Sequence, residues 1–434
     1  MIASPKNVVI SFRSRLIRQL LTSGISVNAL KLHILTAGLV TCLFLPGISI
    51  AQYVPPAGSW EHREPVEVGF NATAINSAIE FAQANESQNP RDRLENHYRT
   101  FAREPFGEAV GPFKTRGSQT GIIIKDGYIV AEWGDPARVD MTFSVSKSFL
   151  STIVGLTWAE GFIRSVDDLV GPYFPPILLP PGDGEPGRES STGLSAPYPV
   201  YLFESEHNRQ ITWNHLLRQT SDWEGTLWGK PDWSDRPSQD PNDWLTRERH
   251  PSGTFFEYND TRVNLLALAT TLIWREPIQV VLRERIMQPI GASSTWQWHG
   301  YQNSWILLDG SNVQVPSGGG HWGGGMFINA YDQARFGLLT CRHYRWGDKQ
   351  LLPEEWWKMA TTPTAANPGY GFMNFYLNTG HLGLPNAPES AWIHIGSGPN
   401  IIYCDPEHDL IIVARWINDK VLFEFLTRVL NALE

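Results

Sequence analysis

Several motifs that identify common enzyme classes are missing from this chain of 434 residues. It has no HExxH, G-x-S-x-G or Walker sequence, which argues against the usual zinc metalloproteases, α/β-hydrolases and P-loop proteins. No run of five or more basic residues occurs, and 44 acidic against 35 basic side chains give a net charge of −9. Both features argue against a nucleic-acid partner. We also expect no cofactor and no metal.

Cysteine is scarce as well. The three cysteines are Cys42, Cys341 and Cys404, and their spacing fits no zinc or redox pattern. Cys341 and Cys404 could pair in an oxidising compartment, or they could be two unrelated buried thiols. The sequence leaves both alternatives open, because it does not show whether the two Cα atoms are close enough for a disulfide to form.

Long apolar runs are absent except over residues 34–52. Basic residues precede this run, and no acidic residue occurs before Glu61. The run ends in a small-x-small sequence at residues 49–51, which is typical of a signal-peptide cleavage site. We therefore predict an export signal over residues 1–51 and an exported domain, periplasmic or extracellular, over 52–434. An uncleaved membrane anchor is the alternative, because the run is nearly long enough to span a bilayer.

The remaining chain has the composition of an ordinary globular protein, with 42% hydrophobic and 18% charged residues. Apolar runs predict a hairpin over 120–135 and strands over 390–398 and 400–417. Helical spacing of apolar residues predicts helices over 72–86, 144–161, 211–223, 259–275, 277–291, 329–344 and 421–434.

This order of elements predicts an α+β fold in which the two ends of the domain meet in one sheet. A helical lobe is expected at roughly residues 160–325. A segment rich in proline, glycine and serine, 175–208, predicts a long surface loop.

A serine and a lysine three residues apart open the predicted helix 144–161. Positions i and i+3 share one helix face, about 5–6 Å apart at Cβ, so Ser144 and Lys147 should be neighbours. Burial and the positive end of the helix should both lower the pKa of Lys147, so that a neutral amine could take the proton of Ser144. The backbone N–H of Ser144 could then bind an oxyanion. The alternative is that Ser144 only caps the helix.

Two further segments place chemical groups where a strand ends. In PSGTFFEYND, residues 251–260, a turn and a short aromatic strand precede a helix and put Tyr258 at the junction. In HIGSGPN, residues 394–400, small residues at a strand end would let a substrate backbone approach closely. A packing tyrosine and a tight hairpin are the alternatives.

The order of these segments resembles that of a known superfamily. The sequence FSVSKSF is followed by SVDDLVGPYFP, ITWNHLLRQTSDW, PSGTFFEYND and a glycine-rich last strand. Together they resemble the serine β-lactamase and penicillin-binding-protein superfamily, in the branch with class C β-lactamases, family VIII-type esterases, D-aminopeptidases and nylon-oligomer hydrolases. The resemblance implies an antiparallel sheet flanked by helices plus an all-helical lobe, with the active site between them.

The resemblance also implies roles for single residues. Ser144 matches the acylated nucleophile, Lys147 matches the lysine that activates it, and Tyr258 matches the tyrosine of the Y-x-N motif, which shares the proton transfers. The oxyanion would be bound by the N–H of Ser144 and by a second N–H on the last strand. Ser397 is the first candidate for that donor, and its neighbour Gly396 is the next.

Two departures from the family pattern bear on the substrate. Asp260 stands where the Y-x-N motif has asparagine, so a neutral amide is replaced by an acid. The K-T-G box has no lysine, and His394-Ile395-Gly396 or Gly396-Ser397-Gly398 stands in its place. The family's lysine helps to hold the carboxylate of penicillins and peptide termini. We therefore expect Asp260 and His394 to help select a substrate without that carboxylate.

These observations predict an exported serine hydrolase that cleaves a small ester or short linear amide. Two alternatives remain. One is a non-catalytic binding protein of the same fold, and the other is D-peptidase or β-lactamase activity.

Overall fold

The strands predicted near the two ends of the domain pair in one antiparallel sheet. The computed structural model describes residues 52–174, 176–179 and 198–434. The predicted export signal, residues 1–51, lies outside the described residues, and so does most of the predicted surface loop, residues 180–197.

The α-helices of the described residues are α1 Ala72–Ala84, α2 Arg93–Arg99, α3 Ser146–Ala159, α4 Trp213–Leu217, α5 Asp243–Thr246, α6 Asp260–Trp274, α7 Ile278–Leu282, α8 Ala330–Cys341, α9 Glu354–Ala360 and α10 Leu422–Leu430. A π-helical turn, Arg283–Met287, continues α7.

The strands of the described residues are β1 Thr120–Lys125, β2 Tyr128–Trp133, β3 Asp140–Met141, β4 Ile177–Leu179, β5 Tyr198–Val200, β6 Thr226–Leu227, β7 Lys230–Pro231, β8 Gln297–Leu308, β9 Ser311–Pro316, β10 Gly325–Ile328, β11 Arg345–Trp346, β12 Lys349–Gln350, β13 Tyr376–Leu377, β14 Trp392–Gly396, β15 Asn400–Asp405 and β16 Leu410–Arg415.

The main sheet has the strand order β13-β14-β15-β16-β1-β2, and all neighbouring strands run antiparallel. The first and last long strands meet near its centre. There β1 pairs with β16 from Thr120 opposite Arg415 to Lys125 opposite Leu410. This pairing confirms the predicted α+β fold.

Both faces of the main sheet are covered by helices, which explains why its strands are apolar at consecutive positions. In β1, Ile122 and Ile124 pack in one core with residues of α3 and α8, whereas Ile123 packs in a second core with residues of α1 and α10. Successive side chains of a strand point to opposite faces, so a strand that is buried on both sides carries a continuous apolar run.

The helix predicted to carry the serine and the lysine is α3. It begins at Ser146, after a 3₁₀ turn that spans Phe143–Val145. All its residues as far as Thr157 are buried, because they lie in the larger core beneath the main sheet. Gly161 follows the helix end with φ 76°, a left-handed conformation that glycine adopts readily.

The segment between α3 and β10 contains helices α4 to α7, but it also contains strands that the sequence analysis missed. Strands β8 and β9 form a long hairpin within a four-stranded sheet of order β3-β10-β8-β9. The hairpin turn is Asp309-Gly310, with φ 51° and 82°. Asp-Gly is a favoured pair for such turns, so the signal was present in the sequence.

Two local predictions need correction. Residues 251–259 are described throughout and form a turn and coil, so Tyr258 precedes α6 without an aromatic strand before it. The ends of the predicted loop 175–208 pair as the short strands β4 and β5, with Ile177 opposite Val200.

Among the described residues, no single helix has the length and apolar composition needed to cross a membrane. Helix α6 and the segment Ile278–Met287 pass that test only as a pair, bent by 81°.

One buried arginine joins the two large sheets. Arg415, at the end of β16, donates hydrogen bonds to the side-chain oxygen of Asn400 (3.1 Å), to the carbonyl of Ile328 (2.7 Å) and to the carbonyl of Met141 (3.4 Å). Ile328 lies on β10 and Met141 on β3, directly before the turn that carries Ser144. The contacts of Arg415 therefore help to fix the position of that turn.

We predict that Arg415→Met lowers the free energy of unfolding by about 3 kcal/mol, because it leaves buried acceptors without a donor. Urea denaturation followed by circular dichroism measures this change. The control is Arg428→Met on α10, which removes an exposed pair with Glu424 and should cost at most about 0.5 kcal/mol. Equal losses in the two variants would contradict the role assigned to Arg415.

Candidate active site

Ser144 is the one residue between Asp140 and Thr157 that is not buried. It lies in the 3₁₀ turn before α3, and no side chain caps that helix at Val145. The Ser144 hydroxyl instead accepts a hydrogen bond from Lys147 Nζ at 3.0 Å. The helix-cap alternative therefore does not describe this serine.

The neighbouring serines of α3 have other partners. Ser146 Oγ donates to the carbonyl of Phe143 (2.6 Å) and accepts from the N–H of Met326 (2.7 Å). Ser148 Oγ is hydrogen bonded to the side chains of His394 and Asn374. Both serines are completely buried, so a substrate cannot reach them.

Lys147 forms a buried ion pair with Asp260. Its Nζ lies 2.6 Å from Asp260 Oδ1, and both side chains are at most 1% exposed. Lys147 lies in the first turn of α3, and Asp260 is the first residue of α6, so the pair joins these two helices. The ammonium thus has the Ser144 hydroxyl on one side and a carboxylate on the other.

The ion pair depends on a glycine packed against it. A Cβ atom at Gly319 would lie against both Lys147 Nζ and Asp260 Oδ2, so a side chain there would displace the two paired groups. The next residues of the same loop bring the N–H of His321 to Asp260 Oδ2 at 2.9 Å. The glycine-rich loop between β9 and β10 therefore covers the pair and donates to it.

The two charges shift each other's pKa. Burial lowers the pKa of Lys147, and the charge and hydrogen bond of Asp260 offset part of that decrease. Burial raises the pKa of Asp260, but the positive charges of Lys147 and Arg236 outweigh it and lower that pKa to about 2. Asp260 is therefore ionised at neutral pH.

Tyr258 lies against Lys147 through its ring. The Lys147 ammonium is 4.6 Å from the ring centroid, within the range of a cation–π contact. Burial, followed by the charge of Asp260, raises the pKa of Tyr258 well above its usual value, although the nearby Ser144 hydroxyl and the charge of Arg236 act in the opposite direction. The neutral phenol is thus the form that this environment favours.

Gly396 closes the other side of the serine turn. A Cβ atom there would lie 2.1 Å from the carbonyl oxygen of Thr142 and 3.1 Å from the backbone nitrogen of Ser144. Only glycine permits this approach of β14 to the turn. Ser397, the next residue, is half-buried in the turn that follows β14. The structure thus brings Gly396 next to Ser144, and Ser397 follows it in the chain.

The structure places His394 elsewhere, which corrects its predicted substrate-binding role. Its side chain is completely buried, and its Nδ1 lies 3.0 Å from Ser148 Oγ and 3.1 Å from the carbonyl of Asn374. Trp392 Nε1 donates to its Nε2. These contacts place the side chain of His394 in the core beneath α3, where a substrate cannot reach it.

A group of charged residues next to Asp260 was not predicted from the sequence. Asp235 accepts a hydrogen bond from the N–H of Asp260 and pairs with Arg236. His321 lies between two carboxylates, with Nε2 2.9 Å from Glu104 and Nδ1 3.3 Å from Asp235. These residues come from three distant segments, so no spacing in the sequence could have indicated them.

Glu104, Asp235 and His321 also have the composition of a metal site, since their ligand atoms lie within 4.8 Å of one another. The two carboxylates face different nitrogens of the imidazole, however. Because one ring nitrogen binds one ion, carboxylates that face different nitrogens argue against one shared metal, and Nε2 is hydrogen bonded to Glu104 instead.

The two thiols of the domain lie close together in the larger core. Cys341 ends α8, and Cys404 is on β15 next to the Thr340 hydroxyl, with a sulfur–oxygen distance of 3.8 Å. Both thiols are buried and unbonded in this structure.

Comparison with known proteins agrees with this fold. A family model described as Beta-lactamase matches residues 114–421. Among solved structures, EstCE1, a hydrolase with promiscuous acyltransferase activity, matches with a TM-score of 0.50 at 14% identity, over 83% of this chain and 98% of that chain. A penicillin-binding protein homologue from Caulobacter crescentus matches with a TM-score of 0.50 at 13% identity, over 83% and 97% of the two chains. A search of curated proteins found no match.

The ion pair predicts a pH effect. In Asp260→Asn, Lys147 loses the charge that holds its pKa up, so the neutral amine should persist to lower pH. We expect the rising limb of the rate of Ser144 labelling by a fluorophosphonate, measured against pH, to move down by about 1 to 3 units. The control variant is Asp419→Asn, an exposed residue that should leave the limb in place. An unmoved limb in Asp260→Asn would contradict Lys147 as the titrating group.

Proposed function

The chain belongs to the Beta-lactamase family, and from that premise we propose that it is an exported serine hydrolase that cleaves an ester or short linear amide through an acyl-enzyme on Ser144. The observation that carries the proposal is the distance of 3.0 Å between Lys147 Nζ and Ser144 Oγ. Ser144 has the one accessible hydroxyl among the residues of α3 and of the turn before it. Export is inferred from the sequence of residues 1–51 alone.

The first chemical step forms the acyl-enzyme. Ser144 Oγ attacks the carbonyl carbon of the substrate, and its proton passes to a neutral Lys147. The carbonyl double bond becomes a single bond to an oxyanion. When this intermediate collapses, the bond to the leaving group breaks, and the alcohol or amine departs with the proton. Water then attacks the acyl-enzyme by the same route and releases the acid and free Ser144.

Opposite pKa shifts support a division of labour between the two proton-transfer groups. The pKa of Lys147 is lowered by burial, so its neutral form is accessible, whereas that of Tyr258 is raised by burial, so its phenolate is not. We therefore assign proton acceptance to Lys147. Tyr258 can donate a hydrogen bond to Ser144 and pass a proton to the leaving group.

Backbone N–H groups are proposed to stabilise the oxyanion. The N–H of Ser144 lies in the 3₁₀ turn, and the chain at Gly396 packs directly against it. Ser397, in the turn that follows β14, would supply the second donor. Two such donors, fixed before the reaction begins, stabilise charge that develops in the transition state.

Two features separate this proposal from the alternatives. A binding-only protein does not require an accessible serine hydrogen bonded to a lysine of lowered pKa, and both are present here. For β-lactamase or D-peptidase activity, the expected cation on the last strand is absent, since buried His394 occupies the start of the corresponding sequence. We therefore propose esters and linear amides rather than β-lactams.

We predict that Ser144→Ala lowers turnover of p-nitrophenyl butyrate by at least about a thousandfold and abolishes labelling by a fluorophosphonate probe, because the nucleophile is removed. The wild-type protein should release p-nitrophenol in a burst equal to the amount of enzyme. The control Ser146→Ala removes a buried hydroxyl and should keep its labelling. Persistent labelling of Ser144→Ala, or turnover without Ser144, would exclude the proposed nucleophile.

A further inference from the structure

An arginine lies beside Tyr258 with much of its side chain in solvent. The Arg236 guanidinium is centred 5.1 Å from the Tyr258 ring and 5.4 Å from the Phe101 ring, and the side chain is 40% exposed. Asp235, its neighbour and ion-pair partner, is fully buried. Arg236 is thus a cation at the surface of the site, in contact with a ring that also contacts Lys147.

Most of the hydrogen-bonding capacity of this guanidinium is unused. Within the described part of the chain, its Nη1 group donates to Asp235, and no other hydrogen bond of the guanidinium is present. A guanidinium offers several N–H donors in a planar fork, which matches the two oxygens of a carboxylate. The rings of Tyr258 and Phe101 lie against the guanidinium, and part of the side chain is exposed to solvent.

The backbone of Arg236 has a strained conformation. Its φ is 54°, in the left-handed region that non-glycine residues seldom occupy. Its N–H donates to Glu104 Oε2 at 3.3 Å, and the adjacent Asp235 accepts from the N–H of Asp260. The strained residue is therefore tied directly to the buried ion pair of the active site, where such strain is commonly retained for function.

Among the described charged residues around Asp260, Arg236 is the cation that solvent can reach. The charge of Lys147 is compensated by Asp260 at 2.6 Å inside the protein, and Lys147 is inaccessible. Asp235 pairs with Arg236, but it also accepts a hydrogen bond from the N–H of Asp260 and lies next to His321. A dianionic phosphate would meet the carboxylates of Glu104 and Asp235 with one arginine to offset them, so a planar monoanion suits this position better.

We propose that Arg236 binds a carboxylate of the substrate, so that the enzyme prefers esters or amides that carry a carboxylate at some distance from the scissile carbonyl. The inference rests on the proposed function and extends it. It also revises the expectation of a substrate without a carboxylate, since Arg236, in the segment before α5, supplies a cation at a different position from the lysine missing from β14.

Two pairs of substrates test the proposal, one for each side of the scissile bond. On the acyl side, mono-p-nitrophenyl adipate is compared with its methyl ester. On the leaving-group side, p-acetoxybenzoate is compared with its methyl ester. For at least one pair we expect kcat/KM of the anionic member to exceed that of the neutral member by about tenfold or more, mainly through a lower KM. The preference should decrease as salt is added.

Variants of Arg236 identify the residue responsible. Arg236→Gln should lower kcat/KM for the anionic substrate at least about tenfold more than for the neutral substrate, since only the anionic substrate loses a charge-assisted bond. Arg236→Lys keeps the positive charge that pairs with Asp235 but replaces the planar guanidinium by an ammonium group. This variant should retain part of the preference for the anionic substrate. Arg428→Gln, which changes an exposed arginine on α10, should retain all of it.

Each outcome is decisive. An equal effect of Arg236→Gln on both members of each pair, or no preference in the wild-type protein, would overturn the role of Arg236 and leave the proposed function intact. Failure of the wild-type protein to hydrolyse all four substrates through Ser144 would overturn the proposed function, and this inference with it.

Discussion

The buried ion pair between Lys147 and Asp260 is the interaction on which the site depends. Two charges removed from water carry a desolvation cost of several kcal/mol each, which is offset only by close contact and further hydrogen bonds. Gly319 permits the contact, the N–H of His321 supplies one bond to Asp260, and Lys147 extends the arrangement to the Ser144 hydroxyl. Loss of either charge would leave the other buried without a partner.

The fold supports this pair from several directions. The lysine comes from α3 and the aspartate from α6, and the main sheet behind α3 is closed by the pairing of β1 with β16. Arg415, at the end of β16, holds the chain directly before the serine turn. Because Gly396 packs against the same turn, the position of Ser144 is fixed from both the sheet and the helices, and a hydroxyl fixed in this way needs little reorganisation before it reacts.

The sequence was a good guide wherever the signal was local or periodic. Apolar runs predicted the central strands, and i,i+3 spacing predicted that Ser144 and Lys147 are neighbours. It was a poor guide to contacts between distant segments. Nothing in the spacing of Asp235, Arg236 and His321 shows that they surround Asp260. The direction of His394 was wrong because a strand buried on both faces gives no polar alternation to indicate which side a residue faces. The β8–β9 hairpin was missed although Asp309-Gly310 is a hairpin turn sequence.

The central claim is that the Ser144 hydroxyl, activated by Lys147, carries the acyl group. The direct measurement is mass spectrometry of the protein quenched with acid during turnover of a slowly deacylated ester, followed by peptide mapping. The account predicts one acyl group per chain, on the peptide that contains Ser144, formed rapidly in the wild-type protein and at least about a hundredfold more slowly in Lys147→Ala. Turnover with an unmodified Ser144, or an acyl group on another residue, would contradict it.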